Sequence, residues 1–139
     1  MDKEDYNESV NAERDWLLEM IIKITESSNM ELGITIHAHG FLVSGIIVNS
    51  EGYFDRLGQI FDKGLGGDKE RVAVAFKGMG ESIGKKSKDS DVRNFLHLKD
   101  AKYFHSSGKP IPNSQTILWR GRINEISGFS LGTLNASFE

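Results

Sequence analysis

The chain has 139 residues, 38% hydrophobic and 27% charged, with a formal net charge of −3. That length and apolar content suit one folded domain and argue against wholesale disorder. Cysteine is absent, which excludes disulfides, zinc–thiolate centres and a cysteine nucleophile, and no apolar run reaches the roughly 18 residues of a membrane span.

The opening Met1-Asp2-Lys3-Glu4-Asp5 lacks the apolar core of a secretion signal, so a cytoplasmic location without membrane contact is expected. Charge is unevenly spread. Residues 1–31 carry nine acids and three bases, whereas the rest carries eleven acids and fourteen bases. An acidic head on a mildly basic body hints at self-association or a docked partner. The plainer reading is two solvated faces of opposite sign.

Residues 1–8 read as a disordered acidic tail, 9–135 as a single α+β domain, and 136–139 as a frayed end. Trp16, Leu17, Met20, Ile21 and Ile24 recur at helical spacing, a stripe expected to pack on the core, with docking to a vesicle or coiled coil as its other use. Ser9 or Asn11 is the expected cap, with Glu13 and Asp15 in the early turns. From Leu32 the period becomes two: Ile34, Ile36 and Ala38 share one strand face, and Thr35, His37 and His39 the other. A turn at Gly40 leads to the apolar run Phe41–Val48, which suits a strand covered on both faces; Gly45 inside it predicts a bulge or bend.

Ser50 is the expected cap of a second helix carrying Tyr53, Phe54, Leu57, Ile60 and Phe61. Residues 64–94 form a helical or flexible insertion. Val72, Phe76, Met79 and Ile83 give it a short helix, and residues 84–91 a mobile polar linker with the basic cluster Lys85, Lys86 and Lys88. Strands return at 95–98, 103–104, 117–123 and 129–134, with a proline-containing loop at 106–113. In Ile117–Ile123, alternation sets Trp119 against Arg120 and Arg122, and the expected split is Trp119 inward and both arginines exposed. The fold class is therefore α+β. An N-terminal helix packs on a small, strongly bent antiparallel sheet or on a five-stranded Sm/SH3-like barrel, with the helical insertion between strands 2 and 3.

Catalytic chemistry finds little support. No G-x-S-x-G is present, and no paired carboxylates stand in an apolar setting. Gly64–Gly67 lacks the Lys-Ser/Thr of a P-loop, and Gly78-x-Gly80-x-x-x-Gly84 has the wrong spacing for a dinucleotide loop. His37-x-His39 could present two imidazoles side by side, but no third and fourth ligand follow at diagnostic spacing, so no metal, cofactor or catalytic residue is assigned. Nucleic-acid binding needs a basic surface. The overall negative charge argues against it and leaves an Sm-like RNA-binding module as the alternative function.

The segment 117–134, Ile-Leu-Trp-Arg-Gly-Arg-Ile-Asn-Glu-Ile-Ser-Gly-Phe-Ser-Leu-Gly-Thr-Leu, resembles the gas vesicle accessory protein U (GvpU) family. Phe95–Phe104 and Ser44–Asp55 are similar in order and spacing, and the likeness spans most of residues 32–135. Its most specific part is the Trp119–Ile123 core with the following Gly-Phe-x-Leu-Gly, which is not a catalytic motif. The resemblance implies a non-enzymatic, cytosolic, gas-vesicle-associated protein that supports vesicle assembly, or organises and clusters finished vesicles. The expected partners are the protein shell, other accessory proteins or a second copy. Trp and Arg are over-represented among interface hot spots, so Trp16, Arg120 and Arg122, with Lys85, Lys86 and Lys88, are the candidate contact residues. One expected target of the paired arginines is the acidic segment 2–15 of a neighbouring copy, in an association weakened by salt.

Overall fold

The computed structural model describes residues 15–65, 69–89, 94–105, 108–112 and 115–134. Helix α1 (Trp16–Ser28) opens on Asp15, whose carboxylate accepts the Leu17 N–H at 2.9 Å and the Leu18 N–H at 3.4 Å. Asp15 is thus the cap rather than an early-turn acid, because its side chain reaches two backbone donors that no helical carbonyl satisfies. Ser9 and Asn11 lie outside the described residues. The helix ends at Asn29, in the left-handed conformation that closes helices.

Strands β1 (Leu32–Ala38) and β2 (Phe41–Ile47) form the expected hairpin. Its two turn residues, His39 and Gly40, both have positive φ, the geometry of a tight two-residue turn that follows the strand twist. The chain then enters α2 (Ser50–Leu65) and α3 (Lys69–Asp89), the insertion expected between strands 2 and 3. The Asn49 side chain, rather than Ser50, caps α2 by accepting the Gly52 N–H at 2.7 Å. Ser50 instead gives its N–H and hydroxyl to Glu26 Oε1, at 2.8 and 2.6 Å, tying α1 to the start of α2. The linker expected over 84–91 is helical as far as Asp89, so α3 is longer than periodicity suggested.

Helices α2 and α3 pack on each other where side chains are small. Gly58 lies against Ala73 and Phe76, Gly80 against Glu51 and Phe54, and the Phe61 and Phe76 rings stack at 5.0 Å. A β-carbon on either glycine would press into its neighbour, so glycine's helix penalty is exchanged here for a close crossing.

Strand β3 (Phe95–Phe104) pairs with β2 along one edge. Its other edge is shared between β5 (Ile117–Arg122) and the two-residue β4 (Pro110–Ile111). After a short 3₁₀ turn at Ile123–Glu125, β6 (Gly128–Leu131) crosses back to pair with β1. The result is a six-stranded antiparallel sheet in the order β4-β3-β2-β1-β6, with β5 beside β4 on β3. The sheet is open. Among the described residues β5 and β6 lie on opposite edges and share no ladder, so closure into a five-stranded Sm/SH3-like barrel is not seen. The register between β2 and β3 slips between Ser44 and Ile46, the bulge expected at Gly45.

The core lies on one face of the sheet. Ile34, Ile36, Val43, Ile47, Leu96 and Leu98 from the strands meet Leu18 and Ile22 from α1 and Ile123 from the 3₁₀ turn. The α1 stripe expected to face this core is the wrong one: Leu18, Ile22 and Thr25 face inward, and Trp16, Leu17, Met20 and Ile24 face outward. Two apolar rows lie about 150° apart on the helix with Ile21 between them, and hydropathy alone does not choose between them. On the opposite face, Thr35 and Ser44 are buried under the C-terminal segment. The Thr35 hydroxyl donates to the Gly132 carbonyl at 2.9 Å, and Ser44 Oγ accepts the Leu134 N–H at 2.7 Å.

Candidate interaction surface

Three elements carry the candidate residues. On α1, Trp16 is 69% exposed, with Leu17, Met20 and Ile24 exposed beside it. Positions 16, 20 and 24 stack one turn apart on one helix face. The inward row anchors the helix in the core, so the outward row is held in a fixed orientation.

Arg120 and Arg122 are both exposed on β5, as alternation required, while Trp119 packs partly buried against the core. The Trp119 ring folds over Gly121, where a β-carbon would sit 2.2 Å from its outer edge. The two arginines differ in their surroundings. Arg120 Nε donates to His97 Nε2 at 3.1 Å, and its guanidinium carbon stands 3.7 Å from the Phe95 ring centroid. Arg122 borders a shallow depression with Asn94, Phe95 and Asn124. Lys85, Lys86 and Lys88 fall near the C-terminal end of α3, where positive charge suits the helix dipole. Their side chains lie outside the described residues.

Sequence reasoning missed the cluster behind Arg120. His97 is only 5% exposed and lies on the sheet face opposite Leu96 and Leu98. Helix α2 covers it there, with the Tyr53 and His97 rings 4.4 Å apart and Phe54 at 6.2 Å. Because Nε2 accepts from Arg120, the neutral ring carries its proton on Nδ1. A histidine between two leucines in a strand was the available signal, but only the position of α2 shows that its face is buried.

Burial pushes the Tyr53 hydroxyl above its ordinary pKa, and the Arg120 charge opposes part of that rise. The folded state therefore keeps this proton at pH values where the unfolded chain has lost it. Tyr53's contribution to stability is intact below about pH 10 and is lost as pH rises through the folded-state value. Urea midpoints measured from pH 8.5 to 11 are expected to fall more steeply for the native chain than for Tyr53→Phe. Equal slopes would contradict this.

His37 and His39 do not converge on a shared ligand. His39 Nε2 pairs with Glu125 Oε2 at 3.1 Å, and His37 Nδ1 lies 3.2 Å from Ser127 Oγ, which donates to the His37 carbonyl. The two rings clip the β1–β2 hairpin to the segment leading into β6. Among the described residues, no three His, Cys, Asp or Glu side chains gather as a metal site would require, and no described helix is long and apolar enough to cross a membrane.

Geometry thus defines a small α+β protein with exposed apolar side chains on α1 and exposed arginines on β5. The family model described as gas vesicle protein GvpU-like matches residues 15–134, and the chain belongs to that family. It is therefore a gas-vesicle-related protein, and the match gives the Sm-like alternative no support. No curated protein matches the chain, and no solved structure does.

Proposed function

We propose that the chain is a non-enzymatic, cytoplasmic accessory protein of gas vesicles. It acts through protein–protein contacts in vesicle assembly or in organising and clustering finished vesicles. Its partner is the vesicle shell or another accessory protein, and it can also meet a second copy of itself. The observation that carries this reading is the outward row Trp16, Leu17, Met20 and Ile24 on a helix whose inner row is locked in the core. Aromatic and methionine side chains at the centre of a contact supply large desolvated area, and single such residues often dominate binding.

Arg120 and Arg122 add a second, cationic contact. The Arg120 guanidinium is oriented by His97 and Phe95 before any partner arrives, which lowers the entropy cost of pairing with a carboxylate.

Removing residues 1–31 would be a poor test, because it takes Leu18 and Ile22 out of the core. Point variants are cleaner. Co-sedimentation with intact gas vesicles is expected to fall about tenfold or more for the double variant Trp16→Ser, Met20→Ser, since a central hot spot commonly carries 2 kcal/mol or more. Its circular dichroism should match the native chain. Undiminished co-sedimentation of the double variant would remove α1 as the docking surface.

A further inference from the structure

We infer that the groove between α2 and the outer face of β3 and β5 is a second docking site, one that takes an acidic, leucine-type amphipathic segment of another protein. Helix α2 meets the sheet tightly only near its start, where Tyr53 and Phe54 cover His97. Further along, a groove of about 590 Å³ separates it from the chain leading into β5. That size falls within the range of sites that enclose a ligand or several peptide side chains.

The groove has an apolar floor and a cationic α2 wall. Leu57 and Ile60 of α2 line it with Leu118 of β5 and the backbone at Ile117, whose side chain packs on the core, and Ile60 is 53% exposed. Arg56 and Lys63 flank the floor from α2. Their spacing of seven puts them two turns apart on the helix face that carries Ile60. Among the described residues neither forms an ion pair, and both are exposed.

Two further charges lie on the sheet side of the rim: Lys99, which is neutralised by Glu31, and the carboxylate of Asp100, which has no cation beside it among the described residues. Lys99 holds Glu31 at 2.7 Å, and Asp100 accepts a long hydrogen bond of 3.4 Å from the Thr116 hydroxyl. What remains for a partner is positive charge along the α2 wall of an apolar strip, with the single carboxylate of Asp100 on the opposite wall. An occupant of matching chemistry carries large apolar side chains for the floor and carboxylates for Arg56 and Lys63. A cationic amphipathic segment would meet like charge, and a purely apolar one would leave both cations unanswered.

This site is separate from the α1 row, and its test uses no vesicles, so its failure and that of the vesicle-docking reading are distinguishable. The probe is a fluorescein-labelled 14-residue amphipathic peptide built only of leucine and glutamate, titrated with the full chain and followed by anisotropy. A peptide with lysine in place of every glutamate is the control. Micromolar binding of the acidic peptide alone is expected. The double variant Arg56→Glu, Lys63→Glu should weaken it about tenfold or more, and salt raised from about 50 to 500 mM should weaken it further. Both substituted side chains are exposed, so the fold should be retained, as circular dichroism would verify. Ile60→Ser, which keeps both cations, should also weaken binding. Equal binding of the lysine peptide, insensitivity to the charge reversal, or absence of binding at micromolar concentrations would each overturn the assignment.

Discussion

Leu98→Ala is expected to destabilise the chain by about 2–5 kcal/mol, the cost of lost burial plus the cavity left behind. Leu98 is fully buried on β3, paired with Ile47 on one side and Trp119 on the other, at the centre of the cluster that joins the sheet to α1. Trp16→Ala deletes a larger side chain, yet it should stay within about 0.5 kcal/mol, because Trp16 faces water. Urea unfolding of the two variants side by side is the check. Comparable losses would mean that the outward row of α1 is part of the folding core.

The second large effect belongs to Gly45. A β-carbon there would stand 3.0 Å from the Lys99 carbonyl oxygen and 3.1 Å from both Cα and Cβ of Ala101. These are mostly backbone atoms of the neighbouring strand, which cannot swing aside as a side-chain tip can. Gly45→Val is expected to cost about 1–3 kcal/mol through overpacking at the β2–β3 bulge. Adding Ala101→Gly should restore part of that stability, since it removes one of the obstructing atoms. A melting temperature unchanged by Gly45→Val would contradict the close approach of the two strands.

These two positions show where sequence pattern was informative. Alternation at Ile34, Ile36 and Ala38 placed the core face of β1 correctly, because a strand offers only two faces and one of them is buried. Gly45 announced the bulge, since a glycine inside an apolar strand removes the β-carbon that would block a neighbouring backbone. Trp119 against Arg120 and Arg122 followed from the same alternation. Helices were harder. In α1, Leu18 and Ile22 compete with Met20 and Ile24 for the core on nearly equal hydropathy, and the choice is made by the sheet against which the helix packs. In α3, the polar run from Gly84 to Asp89 reads as a linker because it has no apolar stripe, yet the chain stays helical through it.

The contact surfaces were only partly legible for a related reason. Trp16, Arg120 and Arg122 stood out by residue type, but the burial of His97 behind Arg120 depends on α2, a contact between segments more than forty residues apart. The groove beside α2 was not visible at all, because Arg56, Ile60 and Lys63 become its wall only when Ile117 and Leu118 are brought opposite them. Local periodicity reports which residues share a face; it does not report what that face meets.

The central claim is that the outer face of α1 is buried when the protein docks on a gas vesicle. The chain has two tryptophans, so replacing Trp119 with Phe leaves Trp16 as the sole indole reporter. Titrating this variant with intact vesicles, and correcting for scatter, should shift the Trp16 emission to shorter wavelength and shield it from acrylamide quenching. Vesicle-bound protein whose Trp16 emission and quenching remain those of the free chain would contradict the claim.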